Sequence, residues 1–238
     1  MTRNFVVFEV AGDMAHFRRP YAITTALTFP APPRTALCGL IGAILGLPKN
    51  ESLASFRDDQ AIFGLQLVEP LRTGHVSLNL LQTKGSTSSF RPKAINPHTT
   101  MRYEIIRTPK YRLFFSHAEL GERLFEHLVG GQSCYTPCLG LAWMIAWFGN
   151  SVRTVKAEEV QGDGKHQEFV SPVRTGDVQD IRWDEDAVYQ RIRMPAEMLP
   201  SRKVERYEEY LLETSGKAIS AALTTFWRCE DGTCFSAM

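Results

Sequence analysis

Arg34 and Thr35 stand where a helix able to bind a phosphate would begin. They follow Pro32 and Pro33, and proline is well suited to the first turn of a helix. Backbone amides at a helix start, the helix dipole, a guanidinium and a hydroxyl group together supply the chemistry that holds a phosphate. The sequence therefore predicts an anion site at the start of this helix.

The helix that would position these two residues is predicted from Arg34 to just before Gly46. Gly46 suits a left-handed cap, and Pro48 prevents the helix from resuming. Several glycines leave a second face almost bare, which we attribute to close packing of the helix on a sheet. An apolar stripe recurs at spacings of three and four residues, formed by Leu37, Leu40, Ile41 and Ile44.

Positive charge is concentrated in residues 71–112. The segment holds eight basic residues and one acidic residue, a formal charge of +7, whereas the whole chain carries +1. This division predicts one basic surface for nucleic acid, although any single basic run taken alone fits a solvated loop equally well. The basic residues are Arg72, Lys84, Arg91, Lys93, Arg102, Arg107, Lys110 and Arg112.

Residues 82–100 are polar, lack periodicity and are rich in Ser, Thr, Gly and Pro. Loops of this length inside a compact domain are usually functional or mobile. Lys84, Arg91 and Lys93 would bring charge to an RNA backbone. Phe90 lies among them and either wedges between bases or pins the loop to the body of the protein.

Other reactive residue types do not form a recognisable site. The spacings Cys134–Cys138 and Cys229–Cys234 fit a structural zinc site, but an apolar run follows the first pair and a turn lies within the second, which favours ordinary thiols. We therefore expect no metal and no other cofactor. Metal-independent RNA cleavage needs a general base and a general acid. The candidates are His16, Tyr21, Lys93, His98, Tyr103, His117, Lys165 and His166, and because none forms a dyad by spacing, no catalytic residue is predicted.

The composition is that of an ordinary globular protein. The longest apolar run, residues 36–47, is too short and too rich in glycine to span a membrane. The first residues lead directly into a strand-like run without the layout of a signal peptide, and five cysteines without a dense framework fit reduced thiols. These features predict a cytoplasmic protein with no membrane partner.

The order of predicted elements indicates an α+β fold with a ferredoxin-like domain over residues 1–150. Strand patterns at residues 4–11, 62–69, 72–81, 101–106 and 111–115 surround the helix, and residues 24–29 add a short strand. A second helix follows the capping box Ser116-x-x-Glu119, and residues 137–148 read as a buried strand. Without the long loop, the order is strand, helix, strand, strand, helix, strand, which RNA-recognition modules also use.

Residues 151–238 are predicted to form a smaller, mainly β region. Short strand patterns alternate there with turn sequences, and residues 203–213 are a polar helix candidate. Residues 225–228 and 234–236 predict a terminal hairpin around Asp231 and Gly232.

Three stretches resemble the Cas-five family of CRISPR-associated RAMP proteins, closest to the form found in subtype I-B. The first comprises the amino-terminal strand, Gly12, Phe17-Arg18-Arg19-Pro20 and residues 33–42, and it is the most specific. Residues 107–113 and 137–140 support it.

The resemblance implies a subunit of a Cascade surveillance complex that caps the 5′ handle of the crRNA. It implies contacts with the backbone subunit and the large subunit, and it leaves target DNA near the protospacer-adjacent motif as a further partner. It places Arg18, Arg19 and Arg34 near the handle, residues 82–100 in an RNA-covering thumb, and Arg102, Arg107, Lys110 and Arg112 along the palm.

Two alternatives remain open. Related subunits of subtype I-C cleave precursor crRNA without metal, so an endoribonuclease is the second reading. A general RNA-binding module outside CRISPR defence is the third.

Overall fold

The computed structural model describes residues 1–21, 25–81, 98–149, 151–170 and 172–238. The fold is mostly β. Its helices in the described residues are α1 (Arg34–Leu45), α2 (Lys49–Ser55) and α3 (Leu120–Val129), with a single 3-10 turn at Thr175–Asp177. Its strands are β1 (Thr2–Ala11), β2 (Met14–Ala15), β3 (Ala61–Leu67), β4 (Thr73–Leu81), β5 (His98–Arg107), β6 (Lys110–His117), β7 (Trp147–Phe148), β8 (Arg153–Gln161), β9 (Gln167–Phe169), β10 (Val173–Arg174), β11 (Val178–Arg182), β12 (Tyr189–Met198), β13 (Val204–Glu213), β14 (Ile219–Leu223), β15 (Thr225–Cys229) and β16 (Cys234–Phe235).

The largest sheet has ten strands and runs through both halves of the chain. Its order is β11-β14-β9-β16-β15-β8-β1-β6-β3, and β7 pairs with β1 beside β8. Strands β8, β1, β6 and β3 pair antiparallel with their neighbours, and α1 and α3 lie on the two connections β1 to β3 and β6 to β8. The last strand of this group, β8, lies after the segment 137–148 where a strand was predicted. Because β8 pairs with β1, the sheet continues across residue 150, where the sequence analysis placed a domain boundary.

Strand β1 is buried on both faces, as expected for a central strand. Val6, Phe8 and Val10 pack in the main core with the apolar stripe of α1. Phe5 and Val7 face the other way, toward Trp227 and Phe235 of the carboxy-terminal strands. Alternate residues of one strand therefore join the two halves of the protein.

Helix α1 has the predicted bounds and the predicted left-handed cap at Gly46, whose φ is 71°. Leu37, Leu40, Ile41 and Ile44 are buried as predicted. The reason for one glycine differs from the expectation, because a Cβ at Gly42 would lie 2.8 Å from Cβ of Ser52 in α2. At Gly42 the close neighbour is therefore a second helix and not a sheet.

Helix α3 begins at Leu120, after the residues of the predicted capping box, and the capping box does not form. Ser116 is buried in β6, and the residue before the helix, Glu119, makes no side-chain cap. His117 replaces it, since its Nδ1 accepts hydrogen bonds from the backbone N–H groups of Glu119 and Leu120, both at 3.1 Å. An imidazole in place of the Ser hydroxyl thus satisfies the free amides of the first turn.

Strand β13 corrects the predicted helix at residues 203–213. It pairs along its length with β12, and Leu211 of β13 also pairs with Val173 of β10. Tyr210, Leu211 and Leu212 are buried, which a solvated polar helix would not allow. Partner strands far away in the chain decide this element, and local propensity does not.

Two further predictions concern strands near turns. The terminal hairpin is confirmed, because β15 and β16 pair antiparallel and Gly232 has a φ of 85° in the turn. The predicted buried strand at residues 137–148 is wrong, since the segment is mostly turns that end in β7, and Trp143 and Trp147 are exposed.

Strands β2, β5 and β4 form a separate three-stranded sheet. The register of β4 with β5 runs from Thr73–Ile106 to Leu81–His98, so these strands make a hairpin whose connection lies outside the described residues. That connection contains most of the predicted thumb. None of the helices in the described ranges is long and apolar enough to cross a membrane.

Candidate nucleic-acid interface

A cavity of about 650 Å³ runs along α1, from Pro33 before the helix to Pro48 after it. It is lined by the loop after β2, by α1 and the residues on either side of it, by α2, by the segment after α3 and by the β12–β13 hairpin. The polar residues among them are His16, Arg18, Thr35, Ser52, Tyr135 and Arg202. Two guanidinium groups and a helix start therefore line one concave surface.

The first turn of α1 is not capped by a side chain and carries no acidic residue. Pro33 precedes the helix in an extended conformation. Thr35 is half-buried and lines the cavity. The positive end of the helix dipole is therefore not neutralised by a carboxylate of this turn.

The loop after β2 holds Arg18 and Arg19 in different ways. Phe17 anchors the loop, since its backbone N–H donates to Oγ1 of Thr28 (2.9 Å) and its carbonyl accepts from the N–H of Phe29 (2.7 Å). Arg18 is exposed at the cavity. Arg19 is half-buried, because its Nε donates to the carbonyl of Thr28 (2.7 Å) and its guanidinium lies over the Phe29 ring. Arg18 is therefore the better placed of the two for a ligand.

The side chain of Arg34 is buried in the core, contrary to its predicted contact with RNA. Its side chain is 2% exposed, its guanidinium donates to the carbonyls of Ala61 (3.1 Å) and Ala196 (3.4 Å), and it pairs with Asp58 (3.0 Å). The guanidinium also lies over the ring of Phe63. A group committed to these partners inside the core is not available to an RNA phosphate, so Arg34 has a structural role.

Arg202 is the cation that sequence reasoning missed. It lies in the turn between β12 and β13, is exposed, and has a φ of 69°, which is unusual for a residue with a side chain. It comes to the cavity from a hairpin more than 160 residues after Arg34 in the chain. Because the second strand of that hairpin was predicted as a helix at residues 203–213, nothing in the sequence pointed to this residue.

His16 is fixed at the cavity by the segment that resembles the family at residues 137–140. Its backbone N–H donates to the carbonyl of Leu139 (3.0 Å), and a Cβ at Gly140 would lie 1.9 Å from its carbonyl oxygen. Gly140 also has a φ of 101°. Glycine is required here by both the close approach and the backbone conformation.

The palm residues of the main sheet are largely paired with one acidic residue. Glu9 binds Lys110 (3.0 Å) and Arg112 (2.7 Å), and Arg112 also donates to Oε1 of Gln66 (3.1 Å). Burial acts to raise the pKa of Glu9, but the hydrogen bonds and charges of these two cations outweigh it, and the pKa is lowered. Lys110 and Arg112 are thus partly neutralised within the sheet.

The other predicted RNA contacts fall on or beyond the β4–β5 hairpin. Arg102 and Arg107 are exposed on β5, and the guanidinium of Arg107 lies against Gly74 of β4. They are not among the residues that line the cavity. Lys84, Phe90, Arg91 and Lys93 lie outside the described residues.

Among the residues that the structure describes, no group of three or more metal-binding side chains comes together. The cysteines at positions 38, 134, 138, 229 and 234 are free thiols. Burial raises the pKa of both Cys38 and Cys229 to about 12. His117 is occupied on both ring nitrogens, by the start of α3 and by the carbonyl of Ser55 (3.1 Å), so its role is structural.

Comparison with known proteins agrees with the resemblance seen in the sequence. Residues 5–110 match the model of a family described as CRISPR-associated protein (Cas_Cas5). This part of the chain is therefore similar to the Cas-five family. The match includes the loop after β2, the start of α1 and most of the β4–β5 hairpin. No curated protein matches the chain.

Three solved structures are similar in fold to nearly the whole chain. A chain of a CRISPR RNA-guided surveillance complex has a TM-score of 0.52 at 12% identity over 91% of both chains. A CRISPR protein from Archaeoglobus fulgidus has a TM-score of 0.53 at 13% identity over 98% of both. A chain of a type III-B Cmr-beta complex bound to cognate target RNA and AMPPnP has a TM-score of 0.50 at 12% identity, over 90% of this chain and 86% of that one. At these identities the likeness concerns the fold.

Proposed function

We propose that this chain is a non-catalytic subunit of a CRISPR Cascade complex that binds and caps the 5′ handle of the crRNA. The observation that carries the proposal is the cavity along α1, which Arg18 and Arg202 line together with Thr35. Its chemistry suits the phosphates of a single-stranded segment. The match of residues 5–110 to the family model and the names of the similar complexes support a role in a CRISPR ribonucleoprotein.

The finer assignments belong to the same proposal. We infer a ferredoxin-like RAMP domain from the strand order β8-β1-β6-β3 with its two helical connections. From the three resembling stretches we further propose a subtype I-B complex, with the backbone and large subunits as partners and target DNA near the protospacer-adjacent motif as a further contact. The β4–β5 hairpin would carry the thumb.

The test of handle binding is a salt series. Each phosphate contact that is lost should flatten the plot of log affinity against log salt by about 0.7 for a single strand. We expect this change for Arg18→Ala and for Arg202→Ala, measured by fluorescence anisotropy with repeat RNA. Arg182→Ala is the matched control, since Arg182 is an exposed arginine on β11 that does not line the cavity. Unchanged affinity and slope in both cavity variants would refute the proposal.

The endoribonuclease is tested separately. Purified protein is incubated with labelled precursor RNA in the presence of a chelator, and we expect binding without cleavage. Site-specific cleavage that survives purification controls and disappears on a histidine-to-alanine change would instead make the chain a processing enzyme.

A further inference from the structure

The ring of His16 is held in one tautomer by its surroundings. Its Nδ1 lies 2.7 Å from the backbone carbonyl oxygen of Glu104, and the ring meets Tyr103 edge to face at 5.1 Å. A carbonyl oxygen only accepts hydrogen bonds, so Nδ1 must carry the proton. In the neutral ring, Nε2 then presents a lone pair and acts as an acceptor.

The neutral state of His16 is favoured by its location. Burial lowers the pKa of His16, and although the hydrogen bond to Glu104 acts in the opposite direction, the nearby charge of Arg18 lowers it as well. The residue is 1% exposed. At neutral pH the ring therefore offers an acceptor and not a second N–H donor.

Nε2 of His16 is buried and has no hydrogen-bond partner among the described residues. A buried polar atom without a partner costs free energy, and most such atoms in proteins are satisfied by protein groups, water or ligands. His16 forms part of the wall of the cavity described above. The residue that carries the unpartnered acceptor therefore lines the same cavity as the start of α1.

We propose that Nε2 of His16 accepts a hydrogen bond from a nucleotide bound in this cavity, either from the exocyclic amino group of its base or from its ribose 2′-hydroxyl. The proposal rests on the proposed RNA-binding function and adds the group that is read. A phosphate cannot be the partner of this atom, because its ionised oxygens only accept. The cavity volume of about 650 Å³ lies within the range of about 300–1,000 Å³ that is usual for small-ligand sites, which leaves room for one unstacked nucleotide.

The arginines and the histidine of the cavity would contact different parts of the bound segment. Arg18 and Arg202 supply positive charge for the phosphate groups of the segment, whatever its sequence. His16 supplies the acceptor that distinguishes one nucleotide from another. Binding thus acquires a preference for a donor group at the position that enters the cavity.

The experiment compares three single-stranded octamers on the purified full chain: oligoadenylate, the same octamer with purine in place of adenine, and oligodeoxyadenylate. Purine lacks only the 6-amino group, and the deoxy strand lacks only the 2′-hydroxyl. Losing one neutral hydrogen bond should weaken binding by about threefold to tenfold. Weaker binding of the purine octamer would assign the donor to the base, whereas weaker binding of the deoxy octamer would assign it to the ribose.

The variant His16→Asn tests whether the preference belongs to this residue. An Asn amide can reach the Glu104 carbonyl, as Nδ1 does, but it has no atom at the position of Nε2. We expect the variant to bind all three octamers with similar affinity, while the control His166→Asn, outside the cavity, keeps the wild-type preference. Circular dichroism melting confirms folding of both.

The three affinities of wild-type protein also test the proposed hydrogen bond to His16 without any variant. Equal affinity of wild-type protein for all three octamers would overturn the role of His16 and leave the RNA-binding function standing. A preference that persists unchanged in folded His16→Asn protein would have the same meaning. No measurable binding of any octamer by wild-type protein would overturn the proposed function itself, and this inference with it.

Discussion

Replacing Arg34 by alanine should destabilise the protein without changing how RNA binding depends on salt. The guanidinium is 2% exposed and bonded to two backbone carbonyls and to Asp58. Breaking a buried charge pair typically costs about 3–5 kcal/mol. Asp58 is 40% exposed and keeps its ion pair with Arg206, so it is not left as an unpaired buried charge when Arg34 is removed. The lower end of this range of free energies therefore applies. We therefore expect a loss of about 3 kcal/mol in the free energy of unfolding.

The assay is thermal and urea denaturation followed by circular dichroism. For a chain of this length, about 3 kcal/mol lowers Tm by about 6–12 °C. Arg18→Ala is the matched control, and because Arg18 is exposed its stability should stay within about 0.5 kcal/mol of wild type. At a temperature where both variants are folded, the salt slope of RNA affinity should flatten for Arg18→Ala alone. An Arg34→Ala protein as stable as wild type, or one with a flattened slope, would refute the structural role of Arg34.

Three further predictions concern the cavity and the palm. Arg202→Gly should leave the free energy of unfolding unchanged or raise it by up to about 1 kcal/mol, because glycine tolerates a φ of 69°. The same variant should bind RNA more weakly in anisotropy titrations, and a marked loss of stability would contradict the prediction. Gly140→Ala should lower Tm more than Gly164→Ala, since both have positive φ but only the first brings a Cβ against the His16 carbonyl; equal effects in melting experiments would refute the packing argument. Because the pKa of Glu9 is lowered in the folded protein, its contribution to stability is present above the unfolded-state pKa near 4.5 and is lost as the pH falls through the folded-state pKa. Glu9→Gln should therefore be less stable than wild type at pH 7 and lose less stability on acidification. Plots of unfolding free energy against pH that run parallel for the two proteins would contradict this.

Local sequence predicts the elements whose signals lie within their own residues. Helix α1 has its proline at the start, its periodic apolar stripe and Gly46 at its end, and the structure confirms all three. The terminal hairpin carries its turn signal at Asp231 and Gly232 and is equally confirmed. In these elements the short-range preferences agree with the tertiary structure.

Elements that depend on distant partners were predicted less well. Strand β13 is rich in Glu, which suits a helix, yet its pairing with β12 and β10 makes it a strand. Ser116 and Glu119 have the spacing of a capping box, but β6 continues through Ser116 and buries it. His117 therefore accepts the hydrogen bonds of the first turn instead. Cross-strand pairing, which no short window contains, overrides local preference in both places.

The candidate site was predicted in outline and corrected in its members. The start of α1 and Arg18 do line one cavity, as the predicted anion site requires. Arg34 was assigned to RNA because arginines at helix starts commonly bind phosphate, but its side chain turns into the core toward Ala61 and Ala196. A residue's position in the sequence places its backbone on an element, whereas the direction of a long side chain depends on what packs above it.

Three of the departures from ordinary protein geometry in the described residues meet at this same cavity. Gly140 has a left-handed backbone against the His16 carbonyl, Arg202 accepts a positive φ despite its side chain, and Nε2 of His16 is buried without a partner in the described part of the chain. Each of these features costs stability, and each lies on a different segment. Packing does not require Arg202, because glycine would adopt its positive φ with less strain. Packing also does not require the unpaired acceptor Nε2 of His16. Their convergence on the surface that carries the helix start and two cations is what a nucleotide-binding site would maintain against that cost.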